Sequence, residues 1–215
     1  MAYAFYQEAM RNAIHALKYD RMHPAARRMG RMLAQAIETL AAEAPAEMLV
    51  VPIPLHRSRQ SERGFNQARL LAVHAVRALR LSHPDWHLTM APAALMRLRA
   101  TESQASLTLR ERRLNVRGAF SVADQAAVKD RHILLIDDIL TTGATARAAA
   151  LALKRAGAAT VWVATLARAR RIHQKPGTRF TNNVGFAPSD IPGDTAESRP
   201  SQPASVDLSI NQPSS

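Results

Sequence analysis

The stretch Ile133–Thr145, ILLIDDILTTGAT, constrains this chain more than any other. Ile133–Ile136 is short, apolar and bounded by polar residues, which predicts a strand buried on both faces. A turn directly after it puts Asp137 and Asp138 at the carboxyl end of the strand, where open α/β sheets take their ligands. Thr141–Thr145 then supplies hydroxyls and closely spaced backbone N–H groups at the start of an Ala-rich helix, a setting that suits a phosphate. A carboxylate pair beside an anion cradle fits a ligand carrying both a phosphate and sugar hydroxyls. Hydroxyls donate to carboxylates, whereas a phosphate avoids them.

The rest of the composition narrows the class. A length of 215 residues with 47% hydrophobic content suits one domain with an appendage. No run approaches the roughly 20 apolar residues of a membrane span, and the first twenty residues lack the basic start and apolar core of a secretory leader. There is no cysteine, which excludes disulfides and Cys-ligated metals and is compatible with a cytoplasmic protein. The expectation is a cytoplasmic chain with no membrane insertion. The net charge is +12. Residues 176–215 carry two arginines against four acids, leaving +14 on the part before them. That excess predicts polyanionic company, a pyrophosphorylated substrate or nucleic acid, unless it is an ordinary solvated surface rich in arginine.

Along the chain, apolar spacing predicts helices over Phe5–Tyr19, from Pro24 through Leu40, and over Phe65–Leu81. Strands are expected at Met48–Ile53, Leu95–Leu98, Ala119–Val122 and Thr160–Leu166, and a loop over Leu55–Gly64. The order strand, helix to Arg155, turn at Gly157, strand implies a right-handed parallel crossover. Beyond His173 periodicity dissolves into a Pro- and Ser-rich stretch. Residues 1–172 therefore read as the folded domain and 173–215 as a disordered tail.

A second constellation lies in Val50–Asn66, VVPIPLHRSRQSERGFN. A strand ends in Pro-x-Pro, and His56, Arg57, Arg59 and Arg63 follow around Gly64. Loops after parallel strands share one edge of the sheet, so this segment should face Ile133–Thr145. The planar fork of arginine matches a pyrophosphate. Eight histidines show no metal-ligand spacing, Trp162 reads as core, and low aromatic content argues against a base-stacking platform.

The Ile133–Thr145 string resembles the phosphoribosyl pyrophosphate (PRPP) motif of type I phosphoribosyltransferases. Pro52–Arg57 and Arg63–Ala68 are similar to segments of the ComF family of competence-associated phosphoribosyltransferase-like proteins. His15–Tyr19, Gln104–Leu107, Arg110–Asn115 and Gly118–Phe120 follow in the family's order. The resemblance covers about Phe5–Arg168 and is to the form without the family's four-cysteine zinc module. It implies an α/β, type I phosphoribosyltransferase fold, with a central mostly parallel sheet flanked by helices. It also implies a transferase that takes PRPP with Mg²⁺ and passes the phosphoribosyl group to an unidentified acceptor.

On that resemblance, Asp137 and Asp138 hold the ribose hydroxyls and favour the cationic transition state. Thr141, Thr142, Gly143, Ala144 and Thr145 grip the 5-phosphate. Arg57, Arg59, Arg63 and Gly64 are the pyrophosphate candidates. Mg²⁺ sits on PRPP and water rather than directly on protein. Arg99, Gln104, Ser106 and Arg110 belong to a segment that either closes over the site or forms a solvated basic helix. Where purine-salvage relatives place an acid, this chain has Thr141, which disfavours a 6-oxopurine acceptor. The alternative implied by the family is a non-catalytic protein on the same fold, acting in DNA uptake through single-stranded DNA or competence and recombination proteins.

Overall fold

The computed structural model describes residues 1–5, 8–19, 23–99 and 118–169. In chain order its elements are β1 (Ala2–Phe5), α1 (Glu8–Tyr19), α2 (His23–Glu38), β2 (Glu47–Pro52), α3 (Arg57–Arg63), α4 (Gln67–Ser82), β3 (His87–Met90), β4 (Leu95–Arg97), β5 (Phe120–Val122), α5 (Gln125–Val128), β6 (His132–Leu140), α6 (Ala144–Arg155) and β7 (Thr160–Arg168). Five strands form one all-parallel sheet in the order β1–β7–β6–β2–β3, and β4 pairs antiparallel with β5 in a small separate sheet.

Strand alternation divides the core into two layers. Met48, Val50, Leu134 and Ile136 point to the face covered by α1, α2 and α4. Leu49, Val51, Ile133 and Leu135 point to the other face, under α6 and the β4–β5 pair. Ile133–Ile136 are completely buried, so every side chain of the run contributes about 1.5–3 kcal/mol of burial. That is why the run is continuous rather than alternating.

The chain leaves β2 through α4 to β3, and leaves β6 through α6 to β7, in opposite directions across the sheet. Right-handed crossovers then force α4 and α6 onto opposite faces. The carboxyl ends of β2 and β6 therefore flank the crevice where the strand order reverses.

Several expectations need correction. The first helix starts at Glu8 rather than Phe5, because Ala2–Phe5 instead adds a parallel edge strand to β7. The expected loop at Leu55–Gly64 contains the helix α3, since His56 caps its start and the left-handed Gly64 closes it. β3 had no clear sequence signal: of its four residues only Leu88 is buried, as befits an edge strand. Trp162 is half-buried, packed against the α2–α4 side, with its indole N–H donating to Thr160 Oγ1 at 3.1 Å. The expected tail from residue 173 lies outside the described residues. Among the described residues no helix is long and apolar enough to cross a membrane.

Candidate functional site

The expected turn after Ile136 is displaced four residues onward. β6 keeps pairing with β7 as far as Leu140↔Arg168, whereas its last partner on β2 is Pro52, opposite Ile136. Ile53 still donates its N–H to Ile136 O at 2.8 Å, the last such bond between the two segments among the described residues. Asp137 and Asp138 thus stand in a strand supported on the β7 side and open on the β2 side. Asp137 is half-buried and Asp138 is 5% exposed. Asp137 Oδ1 accepts from the Asp138 N–H and Asp138 Oδ1 from the Ile139 N–H, both at 2.9 Å. Each carboxylate is thereby oriented by the backbone that follows it.

The Thr/Gly turn occupies residues 141–143. Gly143, at φ 76° and ψ 4°, is the N-cap of α6 and provides no side-chain oxygen for the first-turn amides. A side chain at that left-handed φ would be strained, so glycine is what lets the chain swing directly from β6 into α6. Thr142 Oγ1 accepts from the Ala144 N–H at 3.3 Å. Ala144 is buried, Thr142, Gly143 and Thr145 are half-buried, and Thr141 is exposed. The α6 N-terminus, with its free amides and dipole, follows the carboxylate pair within a few residues.

Across the crevice, α3 carries the basic residues in a fixed order. His56 Nδ1 accepts from the Ser58 N–H at 3.3 Å and lies 2.9 Å from Ser58 Oγ. Arg59 and Arg63 are half-buried and Arg57 is exposed. Arg63 donates to the buried Gln67 Oε1 at 3.2 Å, and Arg59 meets Glu62 at 3.3 Å on the surface. Asn66 caps α4 by accepting from the Arg69 N–H at 3.1 Å, and its amide donates to Ile53 O at 3.0 Å. One asparagine thus ties the end of β2 to the start of α4.

Arg97 is the residue that sequence reasoning missed. It lies in β4, opposite Phe120, with its guanidinium carbon 5.4 Å from the centre of that ring. Burial lowers its pKa, Asp137 opposes that shift, and Arg59 adds to it. Charges from β4, β6 and α3 therefore act on one another across the mouth of the crevice. Strand alternation could have found it: Arg97 is two residues from the fully buried Leu95 and shares its face. Arg99, singled out instead, is exposed, and its guanidinium lies near Gly118. Gln104, Ser106 and Arg110 lie outside the described residues.

Comparison with known proteins gives a consistent result. Residues 68–188 match the model of the phosphoribosyl transferase domain. The DNA utilization protein YhgH of Escherichia coli O157:H7 is 36% identical over 159 residues, 72% of this chain and 65% of that protein. Its counterpart in Shigella flexneri is 35% identical over 169 residues, 77% of this chain and 70% of that one. Competence protein ComFC of Bacillus subtilis (strain 168) is 40% identical over 121 residues, 56% of this chain and 44% of its own length. The chain thus spans about two thirds of the YhgH proteins and less than half of ComFC. Among solved structures, the glutamine PRPP amidotransferase of B. subtilis, complexed with ADP and GMP, aligns at 22% identity and a TM-score of 0.41, over 66% of this chain and 26% of that one.

Proposed function

We propose, from the premise that the chain belongs to the phosphoribosyl transferase domain family and to its ComF and YhgH group, that the β2–β6 crevice binds PRPP with Mg²⁺ and transfers its phosphoribosyl group. One observation supports this above the others: a carboxylate pair, Asp138 buried and Asp137 half-buried, stands between the α6 N-terminus and the arginines of α3 and β4. That order matches the order of groups in PRPP, which runs phosphate, ribose, pyrophosphate.

In the proposed reaction the bond from ribose C1 to the pyrophosphate oxygen breaks, and its electron pair leaves with pyrophosphate. A nucleophilic atom of the acceptor forms the new bond to C1 and gives up a proton. Positive charge develops on the sugar, and fixed carboxylates are worth most where charge develops. Asp137 and Asp138 accept from the ribose hydroxyls and offset that charge. Thr141–Thr145 hold the 5-phosphate, and Arg57, Arg59 and Arg63 with Gly64 hold the departing pyrophosphate. Arg97 adds a cation at the same mouth. The crevice suits magnesium held through PRPP and water, since a hard ion of this kind keeps waters and needs few protein ligands. When bound, Mg²⁺ supplies neutralisation of the pyrophosphate charge.

The deciding experiment is calorimetry of the full chain with PRPP and Mg²⁺, followed by an assay of pyrophosphate release across candidate bases and amines. Binding should be lost in Asp137→Asn/Asp138→Asn. A well-folded wild type that binds no PRPP overturns the reading. A second reading, DNA handling without turnover, draws on the names of the relatives and on the arginine-rich face of α2 and α4. PRPP binding without pyrophosphate release for any acceptor favours it.

A further inference from the structure

α2 and α4 lie side by side and run in the same direction. Gly30 meets His74 in the middle, where an added Cβ would come to 2.3 Å from His74 Cβ, and Ser82 Oγ donates to Glu38 Oε1 at 2.8 Å near their ends. The inner sides of both helices are spent on the core, through Leu33, Ile37, Leu71 and Leu79. Their outer sides carry Arg27, Arg28, Arg31, Arg69, Arg77 and Arg80, all exposed. The only acid in the two helices is Glu38, already engaged with Ser82 and 3.6 Å from His83.

The arrangement is directional. Arg69, Val73 and Arg77 recur every four residues, so they share one face of α4 over about 12 Å. Arg27 from α2 and Arg77 from α4 both act electrostatically on His74 between them, after the larger effect of its burial. At the N-terminal end of the line the surface opens into a cavity of about 440 Å³, lined in part by Phe65, Asn66, Arg69, Leu70, Val73 and Pro92. This groove lies at the β2–β3 end of the sheet and is also bordered by Gln60 and Gly64 of the α3 segment, whereas neither Asp137 nor the Thr141–Thr145 turn lines it.

We propose that the outer α2–α4 face, with the groove at its end, is a binding surface for single-stranded polynucleotide. It deepens the DNA-handling reading and rests on it; its arginines are distinct from those of the PRPP crevice, although Gly64 borders both the groove and that crevice. Arginine forks spaced along one face match a chain of phosphates better than a single anion. The groove combines the Phe65 ring with aliphatic walls from Leu70, Val73 and Pro92, a setting for a base turned out of its strand. A duplex keeps its bases stacked and cannot offer one without unpairing. The scarcity of acid on the face removes repulsion that phosphates would meet elsewhere.

The test is fluorescence anisotropy of the full chain with a labelled oligothymidylate in about 50 mM salt, followed by a salt series. For a single strand, each phosphate that the protein no longer neutralises makes the slope of log K against log salt shallower by about 0.7. Arg27→Gln/Arg77→Gln should therefore flatten it by about 1.4 and weaken binding at least tenfold, with PRPP calorimetry unchanged. Arg155→Gln, which removes a charge from the exposed end of α6, should leave the slope as it was, and Asp137→Asn/Asp138→Asn should still bind the oligonucleotide. Equal weakening per charge in Arg155→Gln and the α2–α4 variant would overturn the surface while leaving DNA handling intact. No oligonucleotide binding by wild type would overturn both. Tighter binding to duplex DNA or to phosphatidylserine vesicles would overturn the single-strand assignment.

Discussion

Replacing Gly30 with alanine sets two effects of opposite sign against each other. Alanine in a helix interior is favoured over glycine by about 1 kcal/mol, so on propensity alone Gly30→Ala should stabilise α2. The added methyl, however, would sit 2.3 Å from His74 Cβ, 3.1 Å from the His74 carbonyl carbon and 3.2 Å from the Ala75 nitrogen. Carbon pairs rest at about 3.5–4.0 Å, so the two helices must separate locally by roughly 1 Å. The obstacles are a Cβ and backbone rather than the far end of a side chain, so rotation cannot relieve them. Overpacking of this kind costs about 1–3 kcal/mol, occasionally more, and separation also loosens Leu33 and Ala34 against Leu71 and Ala75, all buried in the same cluster. The net expectation is a loss of about 1–2 kcal/mol, which for a unit of this size lowers Tm by roughly 2–8 °C. Thermal unfolding followed by far-ultraviolet circular dichroism measures it. A Gly30→Ala variant that melts at or above wild type would refute close helix approach as the reason for glycine at this position.

The site yields three further expectations. Gly143→Ala meets only Leu140 Cδ1 at 3.7 Å, so its cost is backbone strain of about 1–2 kcal/mol; Gly143→Asn, which tolerates the left-handed region, should lose less, and equal melting temperatures for the two would count against the strain. Arg97→Met should weaken PRPP binding roughly ten- to hundredfold, the range for losing a hydrogen bond to a charged group, and calorimetry showing unchanged affinity would remove Arg97 from the site. Burial, then Arg77, then Arg27 hold the His74 pKa below its ordinary 6.5. The folded chain thus binds that proton more weakly than the unfolded one, so His74 contributes stability that is complete above about 6.5 and lost as pH falls through the folded value. Proton NMR should show the His74 pKa rise in Arg27→Gln/Arg77→Gln, and a value unmoved by either substitution would contradict the charge cluster.

Most of the sheet and the cradle were legible because their signals are local. Ile133–Ile136 announces a strand buried on both faces, and Thr141–Gly143 announces a helix entry, without knowledge of what packs on them. The reach of β6 was not legible, because whether Asp137 ends a strand depends on β7 continuing beside it while β2 stops. α3 was read as a loop because Arg57–Arg63 buries no residue fully and so offers no apolar period; its capping residues, His56 and Gly64, were the available clue. Arg97 was hidden for a different reason. Its nearness to Asp137 and Arg59 arises only when β4 pairs with β5, a pairing between distant parts of the chain.

The charge balance separates the two proposed surfaces more sharply than any motif does. Within the proposed PRPP crevice Arg57, Arg59, Arg63 and Arg97 are opposed by Asp137, Asp138 and Glu62, which leaves the crevice nearly neutral by itself. Such a site recognises a small anion through placed hydrogen bonds rather than through a broad field. It therefore accounts for little of the +14 carried by residues 1–175. The α2–α4 face has the opposite character, with six arginines, one engaged acid and a groove only at its end. A field of that kind does little for a compact ligand, whose charge is met at one point, and much for a long one that meets several arginines at once. Salt should accordingly separate the two activities in one preparation. Raising it from about 50 to 200 mM should weaken oligonucleotide binding steeply, by a power set by the number of phosphates engaged, while PRPP affinity changes far less. Parallel loss of both would mean that a single charged surface serves both ligands.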